Sequence, residues 1–272
     1  MFNFFNRSKL IASLILFTAS TAVYASSINS RAYAIYDLTN GQVIESKNGT
    51  QKMPIASITK LMTAMVFLDK KPDLSKEISI EKADVDTLLH TTSRLKVGTT
   101  LTVKEALNLA LMSSENRAAS ALSRNYPGGR TAFIRAMNAK AKKIGMKQAQ
   151  FFDSTGLDER NQATALDLVQ LVKSAKNYDL IKEFTTTDEK SFDLDDNNLH
   201  FVNTNPLVRL NNPNWNINVS KTGYTQKAGK CIVMLSTIQS HQYVFSILGS
   251  PSKEARLQAL SLMKEKIKEK KA

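Results

Sequence analysis

The chain has 272 residues, 42% of them hydrophobic, which is enough to bury a sizeable core in one large domain or two small ones. Its formal net charge of +13 is typical of proteins that contact nucleic acid, anionic lipid or an acidic polymer. No nucleic-acid-binding motif is present, and the aromatic residues, 7% of the total, are not interleaved with the basic ones, so nucleic acid is excluded as a partner.

The N-terminus has the pattern of an export signal. Two basic residues precede an apolar run over residues 10–23, and a small-residue cleavage site ends at Ala25. A run of about 14 residues is short for a membrane span, although an uncleaved anchor is the alternative. We therefore expect residues 1–25 to be a signal peptide, residues 26–272 to form a single domain, and the protein to be periplasmic. The Lys-rich segment 264–271 predicts at most weak, salt-sensitive contact with anionic membrane surfaces.

A hairpin and a helix are predicted for the first part of the mature chain. Ala32–Tyr36 and Gln42–Ile44 are β-prone and flank Asn40-Gly41, a strong hairpin signal. Ser57 then opens a helix that reaches about Leu68. Apolar residues recur along it at three- and four-residue spacing, which predicts a buried stripe.

The middle of the chain is predicted to be helical. Thr102 and Glu105 form a capping box, and Gly145 closes a later helix. The predicted helices are Ala106–Met112, Arg117–Leu122, Ala132–Ile144, and a fourth from Thr164 to about Ala175.

Strands return at the end of the chain. The predicted strands are Trp215–Val219, Cys231–Thr237 and Gln242–Leu248, and an amphipathic helix follows over Ser252–Ile267. Strands from both ends with helices between them indicate an α+β fold with a mostly antiparallel sheet and a helical insertion. Cys231 is the only cysteine, so it cannot form an internal disulfide, and its apolar strand predicts a core position.

Three short motifs occur in order and at wide spacing. They are SxxK at Ser57–Lys60, SxN at Ser114–Asn116 and KTG at Lys221–Gly223. SxxK occurs five times and SxN four times, whereas KTG occurs once, so no single motif is specific. Taken alone, they would be a helix cap, a polar linker and a strand-end turn. Their order, with each motif beside a regular element, favours one active site.

The spacing of Ser57 and Lys60 suits acyl transfer. Residues three apart share one helix face, so the amine can take the hydroxyl proton if the lysine is neutral. Burial in a cleft wall and a nearby cation both lower the pKa of a lysine, and Lys221 is the candidate cation. Ser57 is therefore the predicted nucleophile and Lys60 its base.

The other two motifs supply the remaining groups. Ser114 can relay a proton between the lysine and a leaving amine, and Asn116 has donor and acceptor atoms for a substrate peptide group.

The KTG segment is predicted to end a strand and to bind substrate. Lys221 and Thr222 would hold a carboxylate, and Gly223 would let the backbone approach the substrate closely. The backbone N–H groups of Tyr224 and Ser57 would form an oxyanion hole.

The sequence lacks the motifs that other kinds of active site require. His90, His200 and His241 have no metal-ligand spacing, so zinc is not expected. The chain has no G-x-S-x-G elbow, P-loop or dinucleotide fingerprint. We expect neither a metal nor a cofactor.

The motifs resemble those of the serine-type D-alanyl-D-alanine peptidases, the low-molecular-mass penicillin-binding proteins, and the similarity extends over residues 26–272. Further matching stretches are Pro54–Ala64, Phe152–Leu157, Lys221–Thr225 and Ala228-Gly229. Ser113–Ala119 and Tyr126–Gly129 resemble the endopeptidase branch, which cuts peptidoglycan cross-links. Carboxypeptidase relatives usually have Gly where this chain has Glu115, and a second β-rich domain for which too little chain follows Gly223.

The resemblance implies a β-lactamase/transpeptidase-like α+β fold, with a five-stranded antiparallel sheet flanked by helices and a helical insertion lobe. It implies a serine D,D-endopeptidase that hydrolyses D-alanyl cross-links through an acyl-enzyme. Peptidoglycan stem peptides would be its partners and β-lactams its covalent inhibitors. Arg256 falls where the family often has an arginine for the substrate carboxylate; the alternative is a solvated helix residue.

Three other functions would account for parts of this pattern. D-alanyl-D-alanine carboxypeptidase would use the same motifs, because both substrates present a carboxylate beside the leaving nitrogen. A class A β-lactamase needs a deacylating glutamate, and Glu159 lies near the right region in the wrong local context. A non-catalytic wall-binding module would not need intact Ser57, Lys60, Ser114 and Lys221.

Overall fold

The computed structural model describes residues 27–194 and 197–269, so the predicted signal peptide and the last residues of the Lys-rich segment lie outside the described residues. The strands are β1 (Ala32–Asp37), β2 (Gln42–Lys47), β3 (Met53–Pro54), β4 (Glu77–Ser79), β5 (Thr100–Thr102), β6 (Gln162–Ala163), β7 (Glu189–Leu194), β8 (Asn197–Val202), β9 (Asn216–Thr225), β10 (Gly229–Ile238) and β11 (His241–Ser250). The helices are α1 (Thr59–Leu68), α2 (Val103–Met112), α3 (Asn116–Arg124), α4 (Gly129–Lys143), α5 (Ala165–Ala175), α6 (Asp179–Thr186), α7 (Pro206–Arg209) and α8 (Lys253–Glu269).

A five-stranded antiparallel sheet forms the centre of the fold, in the order β2-β1-β11-β10-β9. Distant parts of the chain meet in it, because β1 pairs with β11 from Ala32 opposite Leu248 to Asp37 opposite Tyr243. The predicted hairpin is confirmed, with Gly41 at a φ of 73° in the turn between β1 and β2. The α+β class and the five-stranded sheet predicted from the sequence are therefore confirmed.

Both faces of the sheet are covered. Along β10, Cys231 and Val233 belong to the core that also contains α1, whereas Ile232 and Met234 belong to the core under α8. The strand is a continuous apolar run because each of its faces is buried. Cys231 lies in the core as predicted, and burial raises the pKa of its thiol to about 11. The thiol is therefore protonated at neutral pH and unreactive.

Helix α1 packs against the five helices from α2 to α6. A 3-10 turn over Ala56–Ile58 leads into it, so the α-helix begins at Thr59 rather than at Ser57. Every residue from Thr59 to Phe67 is buried, including those between the members of the predicted stripe. A helix buried on all sides gives a rigid base for groups on its first turn. Within the described part of the chain, no helix is both long and apolar enough to cross a bilayer.

The structure corrects one strand boundary. The prediction that Lys221–Gly223 ends a strand is wrong, because the ladder of β9 with β10 continues to Thr225 opposite Gly229. The hairpin β7–β8 was not predicted at all. Most residues of β7 and β8 are exposed and polar, and the apolar alternation is limited to Phe192 and Leu194 in one strand and Leu199 and Phe201 in the other, so the signal is short.

Candidate active site

Ser57 and Lys60 meet at the start of α1. Ser57 lies in the 3-10 turn, and Lys60 is fully buried one turn further on. The Lys60 Nζ atom lies 2.9 Å from Ser57 Oγ, as the shared helix face predicted. It also donates to Asn116 Oδ1 at 2.7 Å and to the carbonyl oxygen of Thr155 at 2.7 Å.

These three contacts define the orientation of a neutral Lys60 amine. The Asn116 side-chain oxygen and the Thr155 carbonyl oxygen can only accept hydrogen bonds, so they occupy two N–H bonds. The third direction points at the Ser57 hydroxyl. In the neutral amine that direction holds the lone pair, so Lys60 can accept the Ser57 proton without moving.

Burial makes the neutral form of Lys60 accessible. Desolvation lowers its pKa from the usual 10.5 to about 8, although the carboxylates of Asp153, Glu115 and Asp86 act in the opposite direction. About half of Lys60 is therefore neutral near pH 8.

Lys221 is the second buried amine of the site. Burial lowers its pKa well below the usual value, and the nearby charges of Lys60 and Arg256 lower it further. The low pKa of Lys60 comes mainly from burial, whereas the repulsion between the two amines acts on Lys221. A bound carboxylate would raise the pKa of Lys221 again and favour its protonated form, so the site is suited to capture an anion.

The SxN triplet lies at the corner between α2 and α3. Ser114 has a φ of 64°, a left-handed conformation that is uncommon for a non-glycine residue and concentrates at functional sites. Glu115 caps α3 by accepting a hydrogen bond from the Arg117 N–H at 2.9 Å. Asn116 is held on both sides, with its oxygen facing Lys60 and its Nδ2 donating to Thr91 Oγ1 at 3.0 Å.

Two glycines let the backbone pack against the Ser57 turn. A Cβ on Gly223 would lie 2.8 Å from the Ile55 carbonyl oxygen and 3.2 Å from the Ser57 nitrogen. The close approach predicted for Gly223 therefore exists, but its partner in this structure is the nucleophile's own turn. A Cβ on Gly156 would lie only 1.9 Å from the Ala56 carbonyl oxygen, and Gly156 has a φ of 85°.

The segment from Asp153 to Gly156 is a part of the site that lies outside the three motifs. It supplies the Thr155 carbonyl to Lys60 and the Ser154 carbonyl to Thr63 Oγ1 at 2.6 Å. The Asp153 carboxylate holds the turn by accepting from the Gly156 N–H at 2.8 Å and from Thr155 Oγ1 at 2.5 Å. The sequence signal was present, since Asp-Ser-Thr-Gly has the composition of a tight turn.

The predicted site residues surround one open cleft of about 870 Å³. Of those residues, Ser57, Ser114, Asn116, Thr222, Gly223, Tyr224 and Arg256 line it. Its basic lining residues are Arg94, Arg209, Lys230, Lys253 and Arg256. Glu115 is the single carboxylate among the described lining residues, so the cleft attracts anions.

Arg256 is buried near the start of α8, with 4% of its surface exposed. Its alternative interpretation as a solvated helix residue is therefore wrong. Nη1 donates to the Cys231 carbonyl oxygen at 3.2 Å, and Nε has no partner among the described residues. A buried guanidinium with a free donor is suited to bind a carboxylate.

Glu159 is exposed, and its backbone oxygen accepts a hydrogen bond from Gln162 Nε2 at 3.3 Å. It does not line the cleft among the described residues. The position thus does not supply the buried glutamate that a class A β-lactamase would need. Across residues 27–194 and 197–269, no group of three histidine, cysteine or acidic side chains is arranged to hold a metal.

Known proteins share this architecture. The family model described as D-alanyl-D-alanine carboxypeptidase (peptidase family S11) matches residues 18–252. The D-alanyl-D-alanine endopeptidase of Pseudomonas aeruginosa is 42% identical over 248 residues, which cover 85% of this chain and 79% of that one. The Escherichia coli D-alanyl-D-alanine endopeptidase is 43% identical over 224 residues, covering 82% and 72% of the two chains. The crystal structure of the Streptomyces K15 DD-transpeptidase shares the fold, with a TM-score of 0.81 at 24% identity over 89% of this chain and 97% of that chain.

The fold and the Ser57–Lys60 cleft define a serine-type peptidase of the transpeptidase-like class. More narrowly, the chain belongs to the S11 family of D-alanyl-D-alanine peptidases. The family predicted from the sequence motifs is thus confirmed.

Proposed function

We propose that this protein is a serine D-alanyl-D-alanine endopeptidase that hydrolyses D-alanyl cross-links in peptidoglycan through an acyl-enzyme. The observation that carries the proposal is the three-way hydrogen bonding of Lys60, which aims its lone pair at Ser57. The endopeptidase specificity is supported by relatives of that name with 42% and 43% identity over most of both chains.

Acylation begins when Ser57 Oγ attacks the carbonyl carbon of a D-alanyl residue. Neutral Lys60 takes the hydroxyl proton across the 2.9 Å contact as the new C–O bond forms. The backbone N–H groups of Ser57 and Tyr224 stabilise the oxyanion. This pairing is supported by the tight packing of Gly223, which precedes Tyr224, against the Ser57 turn.

Collapse of the tetrahedral intermediate expels an amine, which needs a proton. Ser114 lines the cleft beside Asn116 and passes that proton from protonated Lys60 to the leaving nitrogen. Asn116 positions the acyl chain. A water molecule then attacks the ester and gives a proton to neutral Lys60, and Lys60 returns that proton to Ser57 Oγ as the ester C–O bond breaks.

The carboxylate beside the scissile bond is held by Lys221, Thr222 and Arg256. Thr222 Oγ1 is fixed by a 2.7 Å hydrogen bond with Thr204 Oγ1, and Arg256 offers its free Nε. An anion here neutralises the repulsion that lowers the pKa of Lys221. β-Lactams present a carboxylate and a reactive amide in similar relation, so they should acylate Ser57 as covalent inhibitors.

The acylation rate should rise as pH increases through about 8. Lys60 must be neutral to act as a base, and burial places its pKa at about 8, so protonation on the acid side removes the base. Second-order acylation by a labelled penicillin, measured from pH 5 to pH 10, checks this. A rate that falls as the pH rises from 5 to about 8 would contradict a neutral Lys60 base.

Cross-linked muropeptide dimers should be cut to monomers faster than monomeric pentapeptides lose their terminal D-Ala. The leaving group of a cross-link is a large peptide, and the cleft is open and basic enough to admit it with its carboxylates. Both substrates are incubated with the same enzyme preparation and the products separated by mass. Release of D-Ala from pentapeptide with dimers left intact would move the assignment to carboxypeptidase, which shares the carboxylate site.

The proposed location is the periplasm, reached by means of the signal peptide predicted for residues 1–25. N-terminal sequencing of the protein recovered from a periplasmic fraction should begin near Ser26. Retention of Met1 on a membrane-bound protein would indicate the uncleaved anchor instead.

A further inference from the structure

The loop before β5 is organised by one carboxylate that none of the three motifs contains. Asp86 accepts hydrogen bonds from the backbone N–H groups of Leu88 at 2.8 Å, Leu89 at 3.1 Å and Thr91 at 2.8 Å. Its Oδ2 also accepts from the Thr91 hydroxyl at 2.8 Å. The hydroxyl proton of Thr91 is therefore committed to Asp86.

The hydrogen bond from Thr91 to Asp86 also fixes the orientation of the Asn116 side chain. With its proton turned to Asp86, the Thr91 oxygen presents lone pairs, and Asn116 Nδ2 donates to them at 3.0 Å. The amide must then turn its oxygen to Lys60, where the 2.7 Å contact is made. A flipped amide would place an N–H against the Lys60 amine and remove one of its two acceptors.

The same loop is attached to α3 at two more points. Arg117 Nη1 donates to the Leu95 carbonyl oxygen at 2.6 Å, and the Ser93 hydroxyl donates to the Glu115 carboxylate. Three consecutive residues, Glu115–Arg117, thus each contact the loop. This gives Glu115 a structural purpose at the position where carboxypeptidase relatives usually have Gly.

We propose that Asp86 and Thr91 are positioning residues of the reaction, which act through Asn116 to hold the Lys60 lone pair on Ser57. The inference rests on the proposed function, in which Lys60 is the base. It adds two residues that lie 28 and 23 positions before Ser114, the first residue of the SxN motif, and that touch no reacting atom themselves.

The charge of Asp86 also acts on Lys60. Partial burial works to raise the pKa of Asp86, but the hydrogen bonds from Thr91, Leu89 and Leu88 outweigh it and leave the pKa lowered, so Asp86 is ionised at neutral pH. Its negative charge raises the pKa of Lys60, as do the charges of Asp153 and Glu115, while Lys221 is the second buried amine, whose own pKa is lowered by burial and by the charge of Lys60. Loss of the Asp86 charge should therefore lower the pKa of Lys60.

Substitutions at Thr91 test the geometric part alone, and a substitution at Asp86 tests the charge together with the Thr91 contact. Thr91→Val removes the acceptor for Asn116 without changing any charge, and Thr91→Ser keeps the hydroxyl. Asp86→Asn removes the charge and keeps the oxygen that accepts from the Leu88 and Leu89 N–H groups, but an amide nitrogen replaces the Oδ2 acceptor of Thr91. Asp73→Asn is the matched control, because Asp73 caps another loop through Ser75 and does not line the cleft among the described residues.

The experiment measures second-order acylation by a labelled penicillin against pH for the wild type and the four variants, with thermal unfolding of each as a folding check. We expect Thr91→Val to lower the maximum rate about tenfold, or about 1.4 kcal/mol, which is the size of one hydrogen bond. Thr91→Ser should stay within about twofold, since it keeps the acceptor. Asp86→Asn should move the acidic limb to lower pH, and Asp73→Asn should match the wild type.

Full-rate acylation by folded Thr91→Val, or an unmoved acidic limb in folded Asp86→Asn, would overturn the inference while the wild type still reacts. A wild-type enzyme that is not acylated at all would overturn the proposed function together with it.

Discussion

A Lys60→Ala enzyme should react with a labelled penicillin at least ~100-fold more slowly than the wild type, because it lacks the general base. The label on the wild type should map to Ser57, whose Oγ lies 2.9 Å from Lys60 Nζ. Truncation also removes the group that donates to Asn116 Oδ1 and to the Thr155 carbonyl oxygen. Single-turnover labelling and mass mapping of the labelled peptide measure both results.

Two further variants sharpen that test. Lys60→Arg keeps a cation and several donors but stays protonated, so it should be as slow as Lys60→Ala if the role is that of a base. Lys264→Ala is the matched control, since Ser261 and Lys264 form another SxxK match on α8, outside the cleft. Near-normal acylation in a folded Lys60 variant would contradict the role of Lys60 as the base. A label on another serine would contradict Ser57 as the nucleophile.

Gly156→Ala should lower the acylation rate by about 100-fold, because a shift of about 1 Å in a reacting group can cost that much. The new Cβ would stand 1.9 Å from the Ala56 carbonyl oxygen, so the turn that carries Ser57 must move away. Overpacking of this kind also destabilises a fold by about 1–3 kcal/mol. Acylation kinetics and urea unfolding report the two effects separately.

Gly145→Ala is the control for that substitution. Gly145 has a φ of 84°, almost that of Gly156, but within the described part of the chain its Cβ would meet Gln170 Cγ alone, at 4.0 Å. It carries the same backbone strain, of about 1 kcal/mol or more, without the clash. An equal loss of activity in both variants would show that strain, rather than displacement of the Ser57 turn, explains Gly156→Ala.

Much of the site was predictable because its information is local. Ser57 and Lys60 share one helix face by their spacing alone, and the structure brings the groups into contact. The capping box at Thr102 starts α2 as predicted, since it needs only four residues, and α5 begins after Thr164 as predicted, where the structure shows a second capping box. Arg256 was placed by resemblance, and the structure buries it at the cleft.

Other site residues were missed because they act over long sequence separations. Thr155 contributes only a backbone carbonyl, which carries no residue signature, and it meets Lys60 across 95 positions. Thr91 meets Asn116 across 25 positions through a single hydroxyl. Their roles depend on how the loops fold over α1, and a pattern of residue types does not contain that arrangement.

The sequence by itself determined the family, the α+β class and the chemical groups of the site, because these follow from local spacing, strand and helix periodicity and motif order. The tertiary structure decided the protonation of those groups and their positions relative to one another. Burial of α1 on all sides removes water from Lys60 and lowers its pKa to about 8, which no local pattern could specify. Gly156 and Gly223 then bring two distant segments against the Ser57 turn. Desolvation and close backbone packing are properties of the assembled domain, so the reactivity of the serine appears only once the chain has folded.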